Sequence, residues 1–457
     1  MLKITNPATE AVIKEIPTDD AASIKQKFDK ARAAQTAWAA LGIGKRLEII
    51  TSFKQMLEKD KEELAAILTS EVGKAISQSR NEVNGTIVRI DFFLQKAAET
   101  LKQEDILKDP ANALEEQIRH EPLGVIANIS AWNYPYFVGS NVFIPALLAG
   151  NAILYKPSEF ATLTGLAITE RLHRAGVPKD VFACVVGAGA TGAEILKQPV
   201  NGVFFTGSYA TGVKINEAVA NRLIKVQLEL GGKDPIYVCE DVNVAAAAEG
   251  IADGAFYNTG QSCCSVERIY VNEKVFDQFI SHFMQTVQGF KTGDPMDDKT
   301  YIGPLTRSAQ LKVLEAHVAD AAKKGARLLA GGKRLKTDKG FYFEPTVFID
   351  VNHTMDLMRE ESFGPIIGIQ KVKDDEEALK MMNDSDYGLT AGVYTKDRAR
   401  AEKILARVNS GSVYWNCCDR VSPRLPWSGR GHSGMGLTLS THGILTFTQP
   451  KAWHLRG

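Results

Sequence analysis

Two adjacent cysteines, Cys263 and Cys264, end the stretch Tyr257-Asn258-Thr259-Gly260-Gln261-Ser262-Cys263-Cys264, between an alanine-rich helical run (Val244 to Phe256) and a β-rich run (Arg268 to Val271). A cysteine on a glycine-containing turn between two regular elements is held where its thiolate can attack an electrophile. An unpaired cysteine is more often a small buried hydrophobe, so nucleophilic chemistry needs a second group. Leu228-Glu229-Leu230-Gly231-Gly232-Lys233 supplies one. There an apolar run (Ile224, Val226, Leu228, Leu230) carries a carboxylate beside two glycines, the pattern of a strand end that turns tightly and frees backbone N–H groups. A glutamate of raised pKa at that point could generate a thiolate or activate water against a thioester. On position alone either cysteine could be the nucleophile.

The elements that must hold these groups are legible in outline. Ile4 to Pro17 reads as a strand pair, and Arg46–Val72 and Ile76–Leu101 read as long amphipathic helices with apolar stripes such as Leu47, Ile50, Leu57 and Leu64. Leu114 to His120 reads as a strand. From Gly124 onward, short apolar runs (Val125–Ile129, Ala152–Tyr155, Val181–Val186, Val203–Phe205) alternate with helical stretches. That alternation predicts an α/β fold with a mostly parallel sheet. A second such unit opens at Pro235–Cys239 and carries the cysteine turn, and Leu445–Trp453 alternates like an edge strand.

At 457 residues the chain exceeds a single core, so two or three domains are expected. Lys plus Arg equals Asp plus Glu at 54 each, which gives no footprint for nucleic acid. No apolar run approaches the roughly eighteen residues of a membrane span, and Met1–Ile16 lacks the basic start and apolar core of a signal peptide. Six cysteines without a CxxC pair predict neither a disulfide framework nor a metal site, and a reducing cytoplasm is the expected setting.

The Leu-Glu-Leu-Gly-Gly-Lys run, the Gly-Gln-Ser-Cys turn and the 34 residues between Glu229 and Cys263 together resemble the aldehyde dehydrogenase superfamily, in its non-phosphorylating, NAD(P)-dependent branch. Further matches extend along nearly the whole chain. The resemblance implies two Rossmann-like parallel-sheet domains plus a small β oligomerisation element. Residues 1–105 and 122–230 would bind NAD(P), 231–432 would carry the catalytic cysteine, and 106–121 with 433–457 would bridge subunits. In the family the tail pairs with the arm across a subunit interface, which implies a homodimer or homotetramer.

The resemblance also assigns roles. Cys263 takes the place of the nucleophile, Glu229 of the base for thioester hydrolysis, and Asn133, in Ala131-Trp132-Asn133-Tyr134-Pro135, of the oxyanion donor. Trp132 is expected beside the cofactor pyrophosphate. Gly187-Ala188-Gly189-Ala190-Thr191-Gly192 matches GxGxxG, but the acidic partner about 20 residues on is absent, since Asn201 to Gly212 contains no Asp or Glu. The phosphates are therefore expected at Gly207 and Ser208, in the family-like Phe205-Thr206-Gly207-Ser208 turn, with GxGxxG as a tight turn nearby. Lys156, Ser158 and Glu159 would hold the adenosine ribose, and the Glu159 carboxylate would repel a 2′-phosphate, so NAD is expected before NADP. Glu361 and Phe363 would position the nicotinamide.

The substrate is expected to be a small-molecule aldehyde, apolar or aromatic, in a tunnel lined by Tyr134, Tyr257, Cys264 and Trp427. Members that take succinate semialdehyde carry arginines at the positions of Asn141 and Tyr257, so a short dicarboxylic semialdehyde is disfavoured. A CoA-acylating relative is the second reading, disfavoured because such enzymes tend to lack Glu229. A silent dinucleotide-binding protein is the third, at odds with the joint presence of Asn133, Glu229, Cys263 and Glu361.

Overall fold

The computed structural model describes residues 1–457. A hairpin of β1 (Leu2–Thr5) and β2 (Val12–Ile16) leads into four helices, α1 (Ala21–Ala40), α2 (Gly42–Lys59), α3 (Lys61–Val72) and α4 (Ile76–Thr100). The expected helix Arg46–Val72 is thus two, broken at Asp60, whose φ of −96° and ψ of 15° leave the helical region. The apolar stripe continues through the break because both helices pack on the same core, with Ile50, Leu57, Leu64 and Leu68 all buried.

After β3 (Glu104–Asp109) and β4 (Leu114–Pro122), the chain winds a parallel sheet: β5 (Val125–Ile129), α5 (Pro135–Leu148), β6 (Ala152–Lys156), α6 (Thr162–Ala175), β7 (Phe182–Cys184), α7 (Gly189–Lys197), β8 (Gly202–Thr206), α8 (Tyr209–Val219) and β9 (Lys225–Glu229). The strand order β9-β8-β5-β6-β7 reverses between β5 and β8. Loops leaving the carboxyl ends of those two strands diverge and open a crevice, the usual ligand position in a doubly wound sheet. The strands are buried on both faces, which is why they read as unbroken apolar runs.

A second sheet of seven strands is built around β10 (Asp234–Val238) and β11 (Val266–Asn272), joined by helix α9 (Val244–Phe256) and the cysteine turn. Its neighbours are Ile366–Val372 and Thr346–Ile349 beyond β11, and Thr390–Tyr394 and Ser412–Trp415 beyond β10, all parallel; Arg327–Ala330 closes one edge antiparallel.

The C-terminal segment departs from expectation in three ways. Leu445 and Thr446 close a short helix, Ser440–Thr446, and the strand runs from Thr448 to Arg456. That strand lies antiparallel to β4 of its own chain, from Thr448 opposite Pro122 to Arg456 opposite Leu114, rather than across a subunit interface. A single residue separates the helix from the strand, and Asn151 Nδ2, at the start of β6, fixes that residue by donating 2.9 Å to the Phe447 carbonyl, so the strand is delivered beside its own arm. Finally, Gly434–Met435, inside the segment expected to bridge subunits, adds an antiparallel strand to β9 and pairs Gly434 with Glu229.

Candidate active site

The cysteine turn is built from strained backbone held by side chains. Asn258, Thr259 and Gly260 have φ of 53°, 60° and 68°, a left-handed run that costs the non-glycine members free energy. Asn258 offsets that cost by donating Nδ2 to the carbonyls of Asn133 (3.2 Å) and Gln261 (3.0 Å). Asn133 Nδ2 in turn donates to the Gln261 carbonyl at 3.2 Å, and Gln261 Oε1 accepts from Thr306 N–H at 3.0 Å. The turn after β5 and the turn before β11 are thereby tied together. On the far side a Cβ at Gly232 would meet the Cys263 carbonyl at 2.5 Å, so that glycine lets the segment pass so close, while a Cβ at Gly231 would meet the Glu361 carboxylate. The lysine of the motif is structural: Lys233 Nζ bonds Glu267 at 2.6 Å, and Glu267 accepts the N–H groups of Ser362 and Phe363.

Cys263 and Asn133 line one cavity of about 970 Å³ at the reversal point of the parallel sheet. The same cavity is lined by Trp132 after β5, Lys156 at the end of β6, Ser158 and Glu159 just beyond it, Gly207 and Ser208 after β8, and Glu361 and Phe363. Gly189 and Gly192 face it too, on α7 opposite α8. Ser208 is the N-cap of α8 but makes no side-chain cap, leaving first-turn N–H groups toward the cavity. Lys156 Nζ stands 3.7 Å from Glu159 Oε2. Phe363, at φ 45°, is held by Glu267 so that its ring meets Trp132 edge-on at 5.4 Å. The Glu361 carboxyl is pushed up to about 8 by burial while accepting Gly232 N–H at 3.0 Å.

Glu229 ends β9, is 5% exposed and does not line that cavity. Burial lifts its carboxyl to about 7, against the pull of a hydrogen bond from Thr438 and the charge of Arg89. Cys264 is turned away: buried, its Sγ donates to Asp419 Oδ1 at 2.9 Å, and the Cys263 side chain and burial hold its thiol protonated. The two cysteines are thereby told apart, with Cys263 facing the cavity. Trp427 is a core residue whose backbone pairs with Thr438 at 2.8 and 2.9 Å, so it sets the residue that bonds Glu229. Tyr134 stacks on Phe137 at 5.6 Å and lies over Lys74 Nζ at 3.6 Å; Tyr257 accepts from Asn81 at 3.2 Å.

Several groups around the site escape sequence reading. Arg307 lies 5.6 Å over Trp132 and lines the cavity. Half-buried Asp419, lifted to about 7 by desolvation, and buried Arg89 lie near Cys264. One signal for Arg89 was present: Glu82 and Arg89, seven residues apart, fall in the same stripe of α4 as buried Thr86 and Phe93.

Comparisons with known proteins bear on this arrangement. The chain is 35% identical to a putative succinate-semialdehyde dehydrogenase [NADP(+)] 2 of Mycobacterium ulcerans, over 95% of this chain and 85% of that protein. It is 32% identical to the peroxisomal aminoaldehyde dehydrogenase 1 of Pisum sativum, over 98% and 90%. A crystal structure of PnpE in complex with nicotinamide adenine dinucleotide superposes with a TM-score of 0.96 at 34% identity, over 99% of this chain and 94% of that one. With residues 1–453 matching the family model as well, the chain belongs to the aldehyde dehydrogenase family.

Proposed function

We propose that the protein oxidises an aldehyde to its carboxylic acid through a thioester on Cys263. The sulfur attacks the carbonyl carbon to give a thiohemiacetal, whose oxyanion takes hydrogen bonds from the Asn133 amide and the Cys263 N–H. When bound, the nicotinamide cofactor supplies the hydride acceptor. Loss of that hydride leaves the acyl group on sulfur; Glu229 then takes a proton from water, and the water attacks the thioester to release the acid and the cysteine.

The single observation that carries this reading is that Cys263 and Asn133 open on one cavity with eight residues suited to a dinucleotide, while Cys264 is tied to Asp419. The free N–H groups at the start of α8 suit a pyrophosphate, and the apolar faces of Ala193, Leu196, Ile215 and Ala218 suit an adenine between α7 and α8. NAD is the favoured acceptor, because Glu159 beside Lys156 opposes a 2′-phosphate; NADP is the alternative, in line with the name of the mycobacterial relative. Half-buried Tyr134 and Tyr257 suit a substrate with an apolar stem. The relatives' names point to both acidic and amino tails. The chain associates with a second copy through its three-stranded sheet, and a cytoplasmic setting fits its six free cysteines.

Absorbance at 340 nm tests the reaction. Wild type reduces NAD with an aldehyde, releases free acid without coenzyme A, and Cys263→Ala falls below about a thousandth of that rate. Equal rates in the two proteins, or turnover only with coenzyme A, would sink the reading.

A further inference from the structure

Arg89 sits on α4 with 5% of its surface exposed, yet its guanidinium makes no hydrogen bond, and Nε and Nη1 are buried without any partner. A buried guanidinium with nothing to donate to is costly, and native structures keep such a group where something else fills the gap. The neighbouring anions are already engaged. Glu82 takes Lys74 Nζ on one oxygen and the N–H groups of Tyr136 and Phe137 on the other. Glu229, whose charge also acts on Arg89, takes the Thr438 hydroxyl on Oε1.

The position of Arg89 relates it to the reacting centre. Its guanidinium lies over the Phe137 ring at 3.6 Å, Phe137 stacks on Tyr134 at 5.6 Å with the rings 4° from parallel, and Tyr134 follows Asn133 directly. An aromatic wall thus runs from the turn that meets Cys263 to a cation. Gly85, one turn before Arg89, permits this, since a Cβ there would meet the Phe137 ring at 2.6 Å. The charge of Arg89 acts on Glu229 and on Cys264, the residue next to Cys263, and Arg89 does not line the cofactor cavity. It therefore stands on the side of the cysteine away from the dinucleotide, where the tail of an aldehyde would extend.

We propose that Arg89 determines specificity by receiving a carboxylate at the end of the substrate remote from its aldehyde, an inference that rests on the Cys263 reading above. A planar fork of N–H donors in a dry setting suits a carboxylate in two-point contact. On this proposal the tail is charged, where Asn141 and Tyr257 led to the expectation of an apolar one, because the cation is carried by a different helix from the one that holds Asn141.

Paired substrates provide the test: 4-oxobutanoate against butanal and 6-oxohexanoate against hexanal, with wild type, Arg89→Met and Arg89→Lys. For at least one pair the wild type favours the acid-tailed aldehyde in kcat/KM by about a hundredfold or more, and Arg89→Met collapses that ratio to near unity, chiefly through KM. Arg89→Lys, which keeps the charge without the fork, restores part of it and serves if the methionine variant does not fold. An unchanged ratio, or equal loss on both members of a pair, overturns the proposal, since the latter is what a structural role or an effect through Glu229 would produce. Calorimetric titration with succinate and adipate needs no turnover. Diacid binding that weakens at least tenfold in Arg89→Met supports the subsite even if no aldehyde is oxidised, an outcome that would overturn only the Cys263 reading; equal binding to both proteins rejects the subsite.

Discussion

Glu229 shows how much chemistry one side chain draws from its surroundings. Burial moves its carboxyl from the ordinary 4.5 to about 7, so the ionised form that accepts a proton accumulates only as pH climbs through that value. Turnover limited by thioester hydrolysis therefore rises along a one-proton limb centred near pH 7, and Glu229→Gln removes the limb. Stopped-flow absorbance on the glutamine variant is expected to show a burst of reduced cofactor close to one per Cys263, then a steady state slower by about 10²-fold or more. A burst lost along with the steady state would mean that the carboxylate activates the cysteine instead. The residues of the centre were readable because each lies in a short local pattern: Cys263 behind Gly260-Gln261, Glu229 before Gly231-Gly232, Asn133 before Tyr134-Pro135. Arg89 and Asp419 lie in no such motif: Arg89 shares only the buried stripe of α4, and its missing partners, like the thiol that Asp419 accepts, are supplied by the packed structure.

Helices in this protein are capped from a distance. Glu82 of α4 accepts the Tyr136 and Phe137 N–H groups at the start of α5, and Glu71 of α3 accepts those of Leu163 and Thr164 at the start of α6. Both carboxylates are buried, but only Glu82 has a buried cation, Lys74, which burial pushes down and the pair holds up. Breaking a buried pair from one side typically costs about 3–5 kcal/mol, and losing a cap about 0.5–2. Thermal melting followed by circular dichroism should accordingly fall further for Glu82→Ala than for Glu71→Ala; the reverse order would show that Lys74 finds another partner. Local composition placed the strands of the first parallel sheet and several helices, because apolar runs and periodicity are local. It could not divide Arg46–Val72 at Asp60, where no proline or glycine marks the break, nor separate the helix Ser440–Thr446 from the strand after it.

At the scale of the molecule, two mainly parallel sheets meet at the tied turns of Asn133 and Cys263, and β3, β4 and Thr448–Arg456 form a three-stranded sheet. Its edge strand β3 exposes Ile106 and Leu107, and the edge strand Ser412–Trp415 of the seven-stranded sheet exposes Val413 and Trp415. Unpaired apolar edges favour pairing with another chain. Sedimentation velocity of the full chain is expected to give a dimer or tetramer, and removal of residues 448–457 a monomer; a monomeric full chain would leave these edges without a partner. The α/β class followed from the alternation of elements alone. The in-chain pairing of Thr448–Arg456 with β4 joins segments more than three hundred residues apart, and nothing in either segment names the other.

The bond from Thr438 to Glu229, together with the short strand Gly434–Met435 on β9, gives the cofactor sheet its final support from the far end of the polypeptide. Cys263, Asn133 and the strand bearing Glu229 all precede that segment in the chain, by 209 residues in the case of Glu229 and Thr438. A chain that lacks Gly434 to Thr438 would thus keep Cys263, Asn133 and Glu229 but lose the bond and the strand that hold Glu229 in place.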